Sequence, residues 1–138
     1  GAILGNDSVA DVLSPGTHGS TFGGNPVACA AGIAVLNKII NDRIMQNAEQ
    51  IGKYFFYHLH ELQKEYPAII KNIRGAGCMI GIELDRDCVP IVEAMRNHGI
   101  LINCTNTNVI RLLPPLIIKE EHVDNFIKEL KSILSSLK

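Results

Sequence analysis

The chain has 138 residues, and 46% of them are hydrophobic, so it is long enough to form one domain with a buried core. It carries 13 basic and 14 acidic residues with both signs interspersed, and its formal net charge is -1. The lack of a basic stripe or run argues against a nucleic-acid or membrane-surface partner. No apolar stretch reaches the length of a membrane span and no signal-peptide pattern is present, so we predict a soluble, cytoplasmic protein.

The N-terminal part of the chain predicts two helices. The opening GAIL (residues 1–4) is typical of the end of a buried strand, and its start in mid-pattern suggests a fragment. A short helix is predicted over residues 8–13. The segment VACAAGIAVLNKII (27–40) is apolar on every side, which predicts a buried helix. Asn25 is a good N-cap for that helix, and Pro26 suits its first position.

The rest of the chain predicts a mixture of helices and strands. Residues 42–65 predict a long amphipathic helix, because apolar residues recur at spacings of three and four. The glycine-rich segment 73–85 predicts a strand pair or one long bent strand, with a bulge or a close backbone approach. A helix capped by Asp87 and ending before Gly99 follows. After it come two short strands, 100–103 and 109–113, and a last helix over about 120–137. This order predicts an α+β layer with helices on one face of a sheet.

The cysteines form no recognisable metal or disulfide framework. Cys29, Cys78, Cys88 and Cys104 include no CxxC pair, and none has a histidine at metal-ligand spacing. We therefore predict reduced, mostly buried thiols rather than a disulfide or a metal site.

The turn GSTFGGNP, residues 19–26, is a candidate anion site. Consecutive backbone N–H groups and the hydroxyls of Ser20 and Thr21 precede a helix, and this combination suits a phosphate or another anion. The spacing of a P-loop is absent. An ordinary tight loop before an Asn-Pro helix start is the alternative. Of the histidines, only His18 lies beside this turn.

Arg111 is the second candidate, because it lies in a strand pattern between Ile110 and Leu112. A guanidinium among apolar neighbours is costly unless it is paired, and its planar fork matches a carboxylate. Ligand binding explains this placement, but so does a salt bridge, for example to Glu83, or a side chain that reaches solvent. The nearby RGAG segment, residues 74–77, favours a strand bend over an anion loop.

Three segments together resemble the class III pyridoxal-phosphate-dependent aminotransferases in order and spacing: HGSTFGGNPVACAAGIAVL, NIRGAGCMIGIEL and GILINCTNTNVIRLLPPLIIKEEHVD. Within the class, LINCT and NVIRLLPPL most resemble the acetylornithine branch, while the ornithine, succinylornithine and 4-aminobutyrate branches stay alternatives. The resemblance implies the C-terminal part of a fold-type I transferase. Residues 1–35 would be the tail of the large cofactor-binding domain, and 36–138 the small domain with a mostly antiparallel sheet.

The resemblance also implies an activity and its residues. It implies transfer of an amino group from N2-acetylornithine to 2-oxoglutarate in arginine biosynthesis, with pyridoxal 5'-phosphate, in a homodimer whose site is shared across the interface. Thr21 would bind the cofactor phosphate of the neighbouring subunit, Ser20 the amino-acid substrate and Arg111 the substrate α-carboxylate. The Schiff-base lysine is expected upstream of Gly1, so this stretch alone should be inactive. A non-catalytic module that binds small anions or a partner is the alternative.

Overall fold

The computed structural model describes residues 1–137. The chain forms two compact units, Gly1–Arg43 and Ile44–Lys138. The first unit contains two helices, α1 (Asp7–Val12) and α2 (Pro26–Asn41). The division of a parent enzyme at residue 35 stays a prediction, because compactness does not say which parent domain a segment belongs to.

Local capping fixes where the helices of the first unit begin. The Asn6 side chain accepts a hydrogen bond from the Val9 N–H at 3.2 Å at the start of α1. The Asn25 Oδ1 accepts one from the Ala28 N–H at 2.9 Å, and Pro26 occupies the first turn of α2. Both contacts satisfy backbone donors that have no partner inside a helix. The predicted cap and first residue of α2 are therefore confirmed.

Two predictions for this unit were wrong. Residues 1–4 form no strand, and Leu4 is 93% exposed. The α2 helix contains no buried residue, and Val27 is 79% exposed. An apolar pattern indicates that a segment can be buried. Burial also needs other residues that pack against it, such as a neighbouring strand or a second layer of helices. The described residues provide neither for these two segments.

The second unit is built from three helices and a sheet. Its elements in chain order are α3 (Ile44–Glu65), β1 (Ile70–Ala76), β2 (Met79–Leu84), α4 (Val89–Asn97), β3 (Asn103–Thr105), β4 (Val109–Leu112) and α5 (Glu120–Ser135). The strand order is β1-β2-β4-β3, and every neighbouring pair is antiparallel. The predicted α+β class is confirmed, and the glycine-rich segment is the β1–β2 hairpin.

The hairpin turn lies close against α3. Gly77 adopts a φ of +54° in the turn, a conformation that glycine adopts without strain. A Cβ built at Gly52 of α3 would lie 2.4 Å from the Gly77 carbonyl oxygen. Any side chain at Gly52 would therefore push the helix away from the hairpin. The predicted close backbone approach at this glycine-rich bend is confirmed.

One face of the sheet is buried and the other is open. Buried residues at alternate strand positions include Ile73, Ile80, Ile82, Ile110 and Leu112, and Val109 at the start of β4 is also buried. They form one core with helix residues that include Phe55, Leu59, Met95, Phe126 and Leu130. Burying an isoleucine or leucine side chain contributes about 1.5–3 kcal/mol relative to leaving it in water. The helices therefore cover one face, and the alternate strand residues face outward.

The prediction of reduced thiols was wrong for two of the four cysteines. Cys88 and Cys104 form a disulfide, with their Cα atoms 5.7 Å apart and a sequence separation of 16. Cys29 is free but exposed, while Cys78 is free and buried as predicted. The disulfide joins the residue before α4 to strand β3, so it depends on how two elements return to each other. No spacing motif encodes that contact.

None of the helices in residues 1–137 is long and apolar enough to cross a membrane. In the same residues, no group of three or more His, Cys, Asp or Glu side chains could hold a metal ion.

Candidate functional site

The turn before α2 is held by its own side chains. The Ser20 Oγ accepts a hydrogen bond from the Gly23 N–H at 2.9 Å. The Asn25 Nδ2 donates to the Phe22 carbonyl at 2.6 Å, and Gly24 adopts a φ of +73°. These contacts define the path of the turn without a partner from elsewhere in the chain. Its hydroxyl groups are therefore presented on a preorganised loop.

Ser20 and Thr21 are both exposed on this turn. The Thr21 hydroxyl makes no hydrogen bond within residues 1–137, and the Ser20 hydroxyl acts only as an acceptor there. Both hydroxyls can donate a hydrogen bond to an anion. A hydroxyl and backbone N–H groups near the start of a helix fit a phosphate, because the helix dipole is positive at that end. His18, the other candidate near the turn, is also exposed.

Arg111 lies on the open face of β4 in the second unit. Its neighbours in the strand, Ile110 and Leu112, are 0% and 5% exposed and point into the core. Alternation along the strand therefore directs Arg111 to solvent, although apolar residues surround it in sequence. No ion pair within residues 1–137 involves it. The guanidinium is available to an external anion.

The salt bridge considered for Arg111 is absent in the described part of the chain. Glu83 instead accepts a hydrogen bond from Arg74, with 2.6 Å between Arg74 Nη1 and Glu83 Oε2. Arg74 lies within strand β1, opposite Gly81, and the sequence did not show its partner. Of the explanations for Arg111, ligand binding and exposure to solvent remain.

A groove beside Arg111 was not predicted. It has a volume of about 580 Å³ and is lined by the segments before β3 and after β4 and by the start of α5. Leu101 and Leu113, at its walls, are 84% and 62% exposed. His122 also lines it, and its Nδ1 accepts the Lys119 N–H at 3.3 Å. Exposed leucines beside a double proline are only a weak sequence signal for such a groove. Its walls come from segments that are far apart in the sequence, including Phe55 of α3.

Each predicted site residue thus lies where an anion can reach it. Ser20 and Thr21 share one turn of the first unit, and Arg111 lies on the sheet of the second unit. The fold and these donors define a class: an α+β protein with exposed hydroxyl and guanidinium groups.

Comparison with known proteins gives the family. The model of the family "Aminotransferase class-III" matches residues 1–134, and the chain belongs to this family. The chain is 44% identical over 137 residues to the acetylornithine aminotransferase of Methanothermobacter thermautotrophicus, covering 99% of this chain and 35% of that protein. It is 40% identical over 134 residues to the ornithine aminotransferase of Staphylococcus carnosus, covering 97% and 33%.

Solved structures agree with the fold. The acetylornithine aminotransferase of Elizabethkingia anophelis superposes with a TM-score of 0.83 and 34% identity, over 94% of this chain and 33% of that one. The ornithine aminotransferase of Plasmodium yoelii gives a TM-score of 0.88 and 31% identity, over 98% and 36%. The chain therefore spans about a third of the length of these proteins. The predicted family and fold class are confirmed, and enzymes of this family use pyridoxal phosphate.

Proposed function

We propose that this chain is the C-terminal part of an acetylornithine aminotransferase, which transfers the amino group of N2-acetylornithine to 2-oxoglutarate in arginine biosynthesis. The observation that supports this most is Arg111, whose guanidinium is exposed on a strand and has no ion pair among the described residues. Its planar fork can bind a substrate carboxylate with two parallel hydrogen bonds. The acetylornithine aminotransferases among the relatives support the choice of donor.

The proposed cofactor is pyridoxal 5'-phosphate, which when bound supplies an electron sink for the reacting carbon. In this proposal the Thr21 hydroxyl donates a hydrogen bond to the phosphate of the cofactor held by the neighbouring subunit, so the active enzyme is a homodimer. The turn around Thr21 suits this role because it is held by internal hydrogen bonds and needs no rearrangement. The cytoplasmic location stays a prediction.

Ser20 and Arg111 act on the substrate in this proposal. Arg111 binds the α-carboxylate and so fixes the orientation of the substrate; hydrogen bonds to a charged group contribute about 1.5–3 kcal/mol. Ser20 contacts the amino-acid substrate, and its hydroxyl proton is free for this because its oxygen accepts from Gly23. Neither side chain moves a proton from the reacting carbon. The Schiff-base lysine that would do so is expected upstream of Gly1.

Ornithine is the second candidate donor. Ornithine aminotransferases are almost as similar to this chain as acetylornithine aminotransferases are, and both kinds are found among the solved structures.

Steady-state kinetics of the full-length protein will decide between the donors. N2-acetylornithine, ornithine and 4-aminobutyrate are compared as amino donors, with 2-oxoglutarate as acceptor and glutamate as the measured product. We expect the highest kcat/KM for N2-acetylornithine. A higher kcat/KM for ornithine would replace the proposal by its second candidate. The absence of glutamate formation with every donor would favour the non-catalytic module.

A further inference from the structure

The open face of the sheet carries a row of four residues across its strands. Arg74 pairs with Gly81, Gly81 pairs with Arg111, and Arg111 pairs with Asn103. Directly opposite residues of antiparallel strands point to the same side of the sheet. Both guanidinium groups therefore project from the open face, two strands or roughly 10 Å apart. Gly81 lies between them and has no side chain to separate them.

Glu83 lies in the next row of the same face. It pairs with Asn72 on one side and with Val109 on the other, so it is a diagonal neighbour of both Arg74 and Arg111. Diagonal neighbours are within reach of long side chains. One carboxylate is thus available to two arginines. The structure pairs it with Arg74, at 2.6 Å, and leaves Arg111 without an ion pair among the described residues.

The pairing of Glu83 with Arg74 affects ligand access to Arg111 more than it affects folding stability. The Arg74 and Glu83 side chains are 51% and 36% exposed, and exposed ion pairs contribute little to folding. A carboxylate on Arg111, however, would occupy the same fork that a substrate carboxylate needs. Whatever holds Glu83 away from Arg111 therefore keeps the anion site open.

We propose that Arg74 is a positioning residue: by binding Glu83 it keeps Arg111 free for the carboxylate of the substrate. This inference rests on the proposed role of Arg111. In this proposal Arg74, in strand β1, acts through Glu83 rather than by contact with the substrate. Removing Arg74 releases Glu83 to Arg111, and removing both residues leaves Arg111 free again.

The experiment measures KM for 2-oxoglutarate in the full-length enzyme with five variants. Arg74→Gln should raise KM about fivefold, the upper range for an exposed ion pair, with a smaller change in kcat. The double variant Arg74→Gln/Glu83→Gln should return KM to within about twofold of the wild type, and Glu83→Gln alone should not raise it. Lys53→Gln, which breaks the exposed pair with Glu49 on α3, is the matched control.

The fifth variant separates this inference from the proposed function. Arg111→Ala should lower kcat/KM for 2-oxoglutarate by about 100-fold. An unchanged kcat/KM would overturn both the role of Arg111 and this inference. A large loss in Arg111→Ala without a rise of KM in Arg74→Gln would overturn the inference alone. If Arg74→Gln merely disturbed the fold, the double variant would stay impaired, and that result would also overturn it.

Discussion

Each proposed ligand-binding side chain is kept exposed by a feature of a few residues. Ser20 and Thr21 lie on a turn whose hydrogen bonds close between residues three apart. Arg111 is directed outward because its strand neighbours point into the core. Such features depend on the local chain, so the sequence pattern could nominate these residues as candidates. It could not select Arg74, whose partner Glu83 lies on another strand.

At the residue scale, Thr21→Val tests the proposed hydrogen bond to the cofactor phosphate most directly. Valine keeps the shape of threonine but cannot donate a hydrogen bond, so the affinity for pyridoxal phosphate should fall by about tenfold or more. Spectroscopic titration of the cofactor-free full-length protein measures this. Thr17→Val is the control, because the Thr17 hydroxyl bonds to the Ser14 carbonyl within the chain. An affinity within twofold of the wild type for Thr21→Val would exclude the phosphate role.

At the element scale, the disulfide ties the start of α4 to strand β3. Cys104 pairs with Ile110 next to Arg111, so the link also holds the edge strand beside the candidate carboxylate site. Closing a loop of this length contributes about 3 kcal/mol, mainly by restricting the unfolded chain.

Reduction should therefore lower the melting temperature of the full-length protein. Reductant should lower the melting temperature of Cys29→Ser by the same amount, since Cys29 is free and exposed. It should not lower that of Cys88→Ala/Cys104→Ala, which lacks the disulfide. Thermal unfolding with and without reductant measures this, and peptide mapping by mass spectrometry should find Cys88 linked to Cys104. Four alkylated cysteines in unreduced protein would contradict the pairing and restore the prediction of reduced thiols.

A second contact between elements predicts a dependence on pH. The His98 Nδ1 lies 2.6 Å from the Glu129 Oε2, joining the end of α4 to α5. This hydrogen bond, with a smaller contribution from Lys128, holds the pKa of Glu129 below its ordinary value. The stabilisation is therefore present above the unfolded-state pKa of glutamate, about 4.3, and is lost as pH falls through the lower folded-state pKa.

Glu129→Gln should melt at a lower temperature than the wild type at pH 6, and the difference should become smaller as the pH falls below about 4.3. Melting curves at pH values above and below this point measure it. Glu93→Gln is a suitable control, because Glu93 is exposed on α4 and lies 3.9 Å from Arg96. A difference between the wild type and Glu129→Gln that persists undiminished at the lowest pH would show that the loss comes from packing rather than from charge.

At the scale of the whole molecule, the two units differ in how they bury their apolar residues. The second unit contains a continuous core between the sheet and its helices. In the first unit α2 has no buried residue, although its pattern is that of an interior helix. This agrees with the fact that the chain spans about a third of the length of its relatives. We expect α2 to be covered by the second subunit of the proposed homodimer or by the remainder of a longer enzyme.

Predictions from sequence succeeded where the cause lies within a few residues. The cap at Asn25, the apolar stripes of α3 and α5, the alternation around Arg111 and the α+β class follow from short-range hydrogen bonds and periodicity. The family followed from residues whose order and spacing can be read directly. Only the folded chain showed the Cys88–Cys104 bond, the Arg74–Glu83 pair and the groove beside β4. These contacts join residues that are far apart or on different strands, and their formation depends on how complete elements pack.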